Sequence, residues 1–372
     1  MSIKWRVKAL VIIPCKYEDI EEVKALVREA GYQPWQLIKI CRYPDPRFYV
    51  GKGKVKELKD IVKELEIEKV IVYDMLKPRQ VIGLMRELKL DVIDKVQLIL
   101  EIFALHAGSK EAKLQIELAR LRHELPLIRE WVRRTKLGEL PGFLGPGGYA
   151  AEAYYRFAKR RLTKIRKELE ELRLRRQFER QKRKEHGLPH IAIAGYTNAG
   201  KTTVFNTLTH LSKPTGPEMF TTLSPKSATA FINGRKVILV DTVGFIRDVP
   251  VEVIEAFYAT LEEIVDSDGI LLVVDISESE ENIVSKTESS IKIIKELGVV
   301  SKPIIIAANK VDLVNNSIER RLDLVETISK RNYDYIVDVI PVSATKKHNI
   351  GILRDAIWKI LALRNTKSMY LG

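Results

Sequence analysis

Gly195-Tyr196-Thr197-Asn198-Ala199-Gly200-Lys201-Thr202 follows the apolar run that begins at His190 and leads into Thr203-Val204-Phe205. It matches GxxxxGK[ST] in the setting the pattern requires, after a strand and at the start of a helix. Glycines let the main chain wrap a phosphate, so that amide N–H groups and the helix N-terminus face negative charge. The expected roles follow from atom type: residues 195 to 203 cradle the phosphates, Lys201 reaches the β- and γ-phosphates, and the Thr202 hydroxyl ligates Mg²⁺. A doubly wound α/β domain is the fold in which such a loop sits.

Downstream residues choose the base. Asn309-Lys310-Val311-Asp312 closes an apolar run, and the Asp312 carboxylate can accept from guanine N1–H and its 2-amino group. Adenine offers neither donor there and would leave a buried carboxylate unpaired. Val342-Ser343-Ala344 supplies a second base contact, with the Ala344 N–H near the base oxygen. Between these and the first loop lies Asp241-Thr-Val-Gly244, where Asp241 is expected to hold Mg²⁺ through water and the Gly244 N–H to sense the γ-phosphate. One threonine of Phe220-Thr221-Thr222-Leu223 must complete the Mg²⁺ shell; Thr222 is favoured, with Thr221 the alternative. Lys201, Thr222 and Gly244 are the candidate catalytic groups. The expected ligands are GTP or GDP with Mg²⁺, and the expected chemistry is hydrolysis of GTP to GDP.

Phe245 follows Gly244, where Ras-like GTPases carry the glutamine that orients the attacking water. A phenyl ring cannot do so, and slow intrinsic turnover of about 10⁻⁴ to 10⁻³ s⁻¹ is expected, raised by a partner; the alternative is that Phe245 only packs. Asn198 has two readings, a ligand for K⁺ or a structural cap.

Strand-like runs at His190–Gly195, Lys226–Ile232, Lys236–Asp241, Ile270–Asp275, Pro303–Asn309 and Ile336–Val342 alternate with helical patterns. Asn233-Gly234 reads as a type I′ hairpin turn, so one antiparallel pair joins a six-stranded sheet. The first hundred residues alternate likewise, with strands expected at Ala9–Cys15, Gln36–Arg42, Val70–Tyr73 and Asp91–Ile93 and helices at Asp19–Ala30, Lys54–Leu65, Pro78–Leu88 and Val96–His106. Between the two lie apolar stripes, Leu114/Leu118/Leu121/Leu125 and Ala158/Leu162/Ile165/Leu169/Leu172, joined by the Gly/Pro-rich stretch 138–148. They imply a long antiparallel helical hairpin. Three domains are expected: a small parallel α/β subdomain over 1–106, the hairpin over 107–187 and the nucleotide domain over 188–372.

With 63 Lys/Arg against 49 Asp/Glu in 372 residues the net charge is +14. Segment 156–184 alone holds 14 basic residues against 4 Glu, a net of +10 on one helix. Excess charge concentrated in this way suits RNA phosphate, with salt-dependent and sequence-tolerant contacts. The Gly51–Gly53 turn reads as an ordinary helix entry or an anion site. No run is long and apolar enough for a membrane span, and the start of the chain is not an export signal. Cys15 and Cys41 match no metal spacing and are expected as reduced thiols of a cytoplasmic monomer.

Asp241-Thr-Val-Gly-Phe-Ile246, Phe220-Thr-Thr-Leu223, Tyr49-Val-Gly51-Lys-Gly53-Lys54 and Glu111-Ala-Lys-Leu-Gln-Ile-Glu-Leu-Ala-Arg-Leu121 together resemble the HflX family of GTPases over nearly the whole chain. The resemblance implies association with the large ribosomal subunit, GTPase stimulation by the ribosome, and a role in ribosome recycling or rescue. Departures occur at Gly145-Pro-Gly147, followed by Gly148 where the family has Glu, and at Lys77-Pro78-Arg79-Gln80, which lacks the family's Arg-Asn-Leu-Glu continuation. The competing reading is a GTP-dependent switch acting on a protein or a non-ribosomal RNA. A third, an ATP-dependent RNA remodeller, would need a nucleotide site in the first domain, where no Walker pattern occurs.

Overall fold

A computed structural model describes residues 7–17, 19–137, 148–185, 188–211, 226–246, 258–314 and 317–369. The described residues form two compact units, divided between Leu172 and Arg173.

In the first unit, β1 (Val7–Pro14), β2 (Tyr32–Ile40), β3 (Lys69–Val72) and β4 (Asp91–Asp94) form a parallel sheet of order β2-β1-β3-β4. The helices α1 (Ile20–Glu29), α2 (Lys52–Glu64) and α3 (Pro78–Leu88) make the crossovers, and α4 (Lys95–His106) follows β4. Starts are set locally: the Asp19, Asp94 and Ser109 side chains each accept an N–H of the first turn that follows. Strand β2 begins at Tyr32, four residues before the expected Gln36, and runs through Pro34. Proline survives there because β2 is an edge strand and its pairing with β1 shifts register beside Pro34, between Ala9 and Leu10.

The expectation of reduced cysteines is overturned. Cys15 and Cys41 form a disulfide, with Cα atoms 4.9 Å apart. Pro14 pairs with Ile40 in the β1–β2 register, and the Cys15 N–H donates to the Ile40 carbonyl at 3.0 Å, so the two residues leave the sheet side by side. The bridge spans a separation of 26 residues, for which loop-closure entropy gives a stabilisation of about 3.5 kcal/mol.

Helices α5 (Lys110–Lys136) and α6 (Gly148–Glu185) carry the two expected stripes. Leu114, Leu121, Ala158, Leu162 and Ile165 are buried against one another, flanked by Leu118, Leu125, Leu169 and Leu172. Ion pairs Lys110–Glu168, Arg161–Glu117 and Lys136–Glu152 advance along one helix as they retreat along the other, so the pair is antiparallel. The loop 138–147 lies outside the described residues.

The second unit is a six-stranded sheet of order β10-β9-β8-β5-β7-β6. Its strands are β5 (His190–Gly195), β6 (Lys226–Ile232), β7 (Arg235–Asp241), β8 (Gly269–Asp275), β9 (Ile304–Asn309) and β10 (Ile336–Pro341). All neighbours are parallel except β6 and β7, whose turn has φ of 47° at Asn233 and 79° at Gly234, as a type I′ turn demands. Helices α7 (Lys201–Thr209), α8 (Tyr258–Asp266), α9 (Glu280–Glu296), α10 (Ile318–Asn332) and α11 (Ile350–Met369) complete the described part. After β5 the chain builds to one side with β6 and β7, then to the other from β8 onward. The carboxyl end of β5 is thus a topological switch point, where open α/β sheets bind ligands.

Candidate functional site

Residues 195–203 cross that switch point and open α7. Gly200 has φ of 93°, and a Cβ there would collide with the Asn309 amide. Two backbone hydrogen bonds clasp the loop to the segment that follows β7: Thr197 N–H to the Phe245 carbonyl at 2.8 Å, and Phe245 N–H to the Gly195 carbonyl at 3.0 Å. Gly244 lies close against the loop, since a Cβ would sit 2.7 Å from Thr197 Cγ2 and 2.9 Å from Lys201 Nζ. Lys201 is buried and donates Nζ to the Tyr196 carbonyl at 2.8 Å. Burial pushes its ammonium down to about 8, with Asp241 opposing the shift. The Thr202 hydroxyl donates to Asp241 Oδ2 at 2.9 Å, both groups buried. Thr203, half-buried, continues the first turn of α7.

Asn309 braces the site from β9. Its Nδ2 donates to the Ala199 carbonyl at 2.9 Å, and its Oδ1 accepts the Ala344 N–H at 3.1 Å. That N–H is the donor expected to meet the base, so an incoming base must compete with Asn309 for it. Ser343 is buried, pairs with His348 through the backbone, and accepts the Lys346 N–H at 3.1 Å. Lys310 adopts φ of 67° and places Nζ 2.6 Å from Asp275 Oδ2. Asp312 lies on the one-turn 3-10 helix Val311–Leu313 with its side chain exposed.

Two expected groups stand apart from this constellation. Thr222, with Thr221 and the rest of 220–223, lies outside the described residues. Asn198 is exposed at φ of 63°, and among the described residues its side chain makes no hydrogen bond, so no capping contact accounts for it. The Phe245 ring is 3% exposed and packed away from solvent. Two contributors escaped the sequence reading. Asp275 ends the otherwise apolar β8, a signal visible only once Lys310 is known to face it. Lys286 stands 5.1 Å from the Tyr196 ring centroid and is held by Glu278 at 2.6 and 2.8 Å; nothing local in α9 marks it.

The donor set suits a hydrated magnesium nucleotide. Thr202 and Asp241 offer the hard oxygens such an ion takes, without a cage of several carboxylates. The Thr197 hydroxyl is buried and without a hydrogen-bond partner among the described residues, while Gly244 approaches the methyl, Cγ2, of the same side chain.

A phosphate loop at the switch point, a strand-end aspartate paired to its threonine, and an Asn-Lys-x-Asp turn braced to it define a P-loop GTPase. The chain matches three family models: GTP-binding GTPase N-terminal over 17–104, GTP-binding GTPase Middle Region over 106–183 and 50S ribosome-binding GTPase over 190–310. It is 48% identical over 348 residues to the GTPase HflX of Hyperthermus butylicus, covering 92% of each chain. To that of Saccharolobus solfataricus it is 46% identical over 341 residues, covering 91% of this chain and 95% of that protein. Among solved structures, a GTP-binding protein from Sulfolobus solfataricus in complex with GDP aligns with a TM-score of 0.52 at 40% identity, covering 96% of this chain and 99% of that one. The chain belongs to the HflX family of GTPases and hydrolyses GTP.

Proposed function

We propose that this GTPase binds Mg²⁺-GTP at residues 195–203, 241–244, 309–312 and 343–344, with Thr222 joining the magnesium shell, and couples hydrolysis to association with the large ribosomal subunit. On this reading the chain works in three parts, 1–106, 107–187 and 188–372, as a cytoplasmic monomer. Magnesium, held by Thr202 and Asp241 and completed by Thr222, supplies charge neutralisation of the phosphates. Lys201 brings a buried cation to the same oxygens, and the Gly244 N–H reports the terminal phosphate. Buried Phe245 leaves no side chain following Gly244 to orient water, so the missing element is assigned to a partner, with K⁺ at Asn198 as auxiliary charge.

One observation carries the ribosomal reading: Arg156, Lys159, Arg160, Lys164, Arg166, Lys167, Arg173 and Arg175 are all exposed along α6. This is a long cationic face matched to the phosphates of structured RNA. The family model described as a 50S ribosome-binding GTPase supports the same partner. The test is the GTPase rate with and without purified large ribosomal subunits, in K⁺ and again in Na⁺. A rise of at least tenfold is expected; an unchanged slow rate would sink the ribosomal assignment and favour a switch acting on another partner.

The depressed Lys201 ammonium gives a pH prediction. A phosphate needs the charged form, which the free protein holds below about pH 8 and loses as pH rises through it. Above that point binding must take up a proton. Guanine-nucleotide affinity should therefore be flat up to about pH 7.5 and fall toward tenfold per pH unit beyond 8. Calorimetry in buffers of different ionisation enthalpy should show the proton uptake; pH-independent affinity would count against this role for Lys201.

A further inference from the structure

We propose that Asp275 is a positioning residue for base recognition, acting through Lys310; this rests on the assignment of Asn309–Asp312 as the guanine-reading turn. Strand β8 is buried throughout and apolar until its last residue. There Asp275, its side chain 8% exposed, divides its two oxygens between two tasks. Oδ1 accepts the Ser277 N–H at 2.9 Å and the Ser277 hydroxyl at 2.6 Å. Oδ2 takes the Lys310 ammonium at 2.6 Å. The carboxylate is thus oriented from its own loop before it meets the lysine.

The backbone places the pair. Asp275 and Asn309 are register partners in the parallel β8–β9 ladder, and the Ile276 N–H donates to the Asn309 carbonyl at 3.1 Å. Lys310 is therefore the first residue to leave β9 beside Asp275. The loop after β8 is held from its other side by Arg321 of α10, whose Nη1 donates to the Ile276 and Glu278 carbonyls. Asp275 is a fixed post and Lys310 the element tied to it.

What the tie holds is a conformation. Lys310 sits at φ of 67°, a region that costs a non-glycine residue on the order of 1 kcal/mol. That left-handed residue turns the chain out of β9 into the 3-10 turn that carries Asp312. A lysine without a partner keeps a flexible four-carbon stem with about 2 kcal/mol of rotamer entropy and offers nothing to hold the turn. With Nζ anchored on Asp275, the stem is held at the start of the turn that runs from Asn309 to Asp312. Asp275 thus bears on the base-reading residues and leaves the phosphate side, Lys201 and Thr202, untouched.

The test is a mutant cycle on the full chain. Asp275→Asn keeps the shape and an acceptor for Ser277 but removes the charge; Lys310→Met keeps an apolar stem without the ammonium. GDP release is followed with a fluorescent GDP analogue, and steady-state GTP hydrolysis is measured alongside. Asp275→Asn is expected to speed GDP release about tenfold and raise KM for GTP by a similar factor, with kcat within twofold. Added to Lys310→Met it should change release by less than twofold, and Asp275→Glu should recover part of the loss. Equal acceleration in both backgrounds would show Asp275 acting through the 276–278 loop alone and overturn the proposal. So would a fall in kcat at constant KM, or unchanged release. Failure of the base-reading assignment shows separately, as an Asp312→Asn protein that keeps its GTP preference while Asp275 and Lys310 still couple.

Discussion

Lys201→Ala is expected to abolish tight binding of GTP and GDP, with a loss on the order of 10³-fold in affinity. The magnitude follows from removing one member of a buried, hydrogen-bonded charge pair, which costs about 2 to 5 kcal/mol, each 1.4 kcal/mol being tenfold. The upper part of that range applies because the lysine is buried. Fold should survive, since among the described residues Lys201 bonds only the Tyr196 carbonyl of its own loop and its ammonium is already disfavoured by burial. Titration of a fluorescent GDP analogue, with a thermal melt as the fold control, reads both quantities. Unchanged affinity in a folded variant would refute the phosphate role.

Asp312→Asn should exchange one base for another. A carboxylate accepts from both guanine donors; an asparagine side chain accepts with its oxygen and donates with its nitrogen, matching xanthine, whose C2 carries an oxygen in place of the amino group. Sites that hydrogen-bond a substrate group reject an analogue lacking it by roughly 10⁴ to 10⁵. Asp312 is exposed before a base covers it, so the lower end or somewhat less is the better expectation, a swing of about 10³ in the GDP to XDP affinity ratio. Competition between the two nucleotides measures that ratio directly, and a variant still preferring GDP would remove Asp312 from the base site.

The phosphate loop, the Asp241–Gly244 segment and the Asn309–Asp312 turn were legible as sequence because each constraint acts within a few consecutive residues. Gly200 must take a left-handed φ beside Asn309, and Lys201 and Thr202 must open a helix; no distant partner alters those needs. The helical hairpin was legible for a related reason, since Leu114, Leu121, Leu162 and Ile165 announce a buried face by spacing alone. The basic face of α6 needed only counting.

Everything that depended on which strands lie side by side was hidden. The Cys15–Cys41 disulfide exists because β1 and β2 end in register, and the Asp275–Lys310 pair because β8 and β9 do. Strand β2 runs through Pro34 only because it is an edge with one neighbour. Lys286 meets Tyr196, and the Ala344 N–H turns to Asn309, across separations that no local pattern encodes. The sequence by itself determined the chemistry of the site, because backbone conformation and functional groups at a phosphate are properties of short segments. Tertiary structure alone decided what braces that chemistry, because register and packing set the distance between residues far apart in the chain, and an ion pair or a disulfide forms only within a few ångströms.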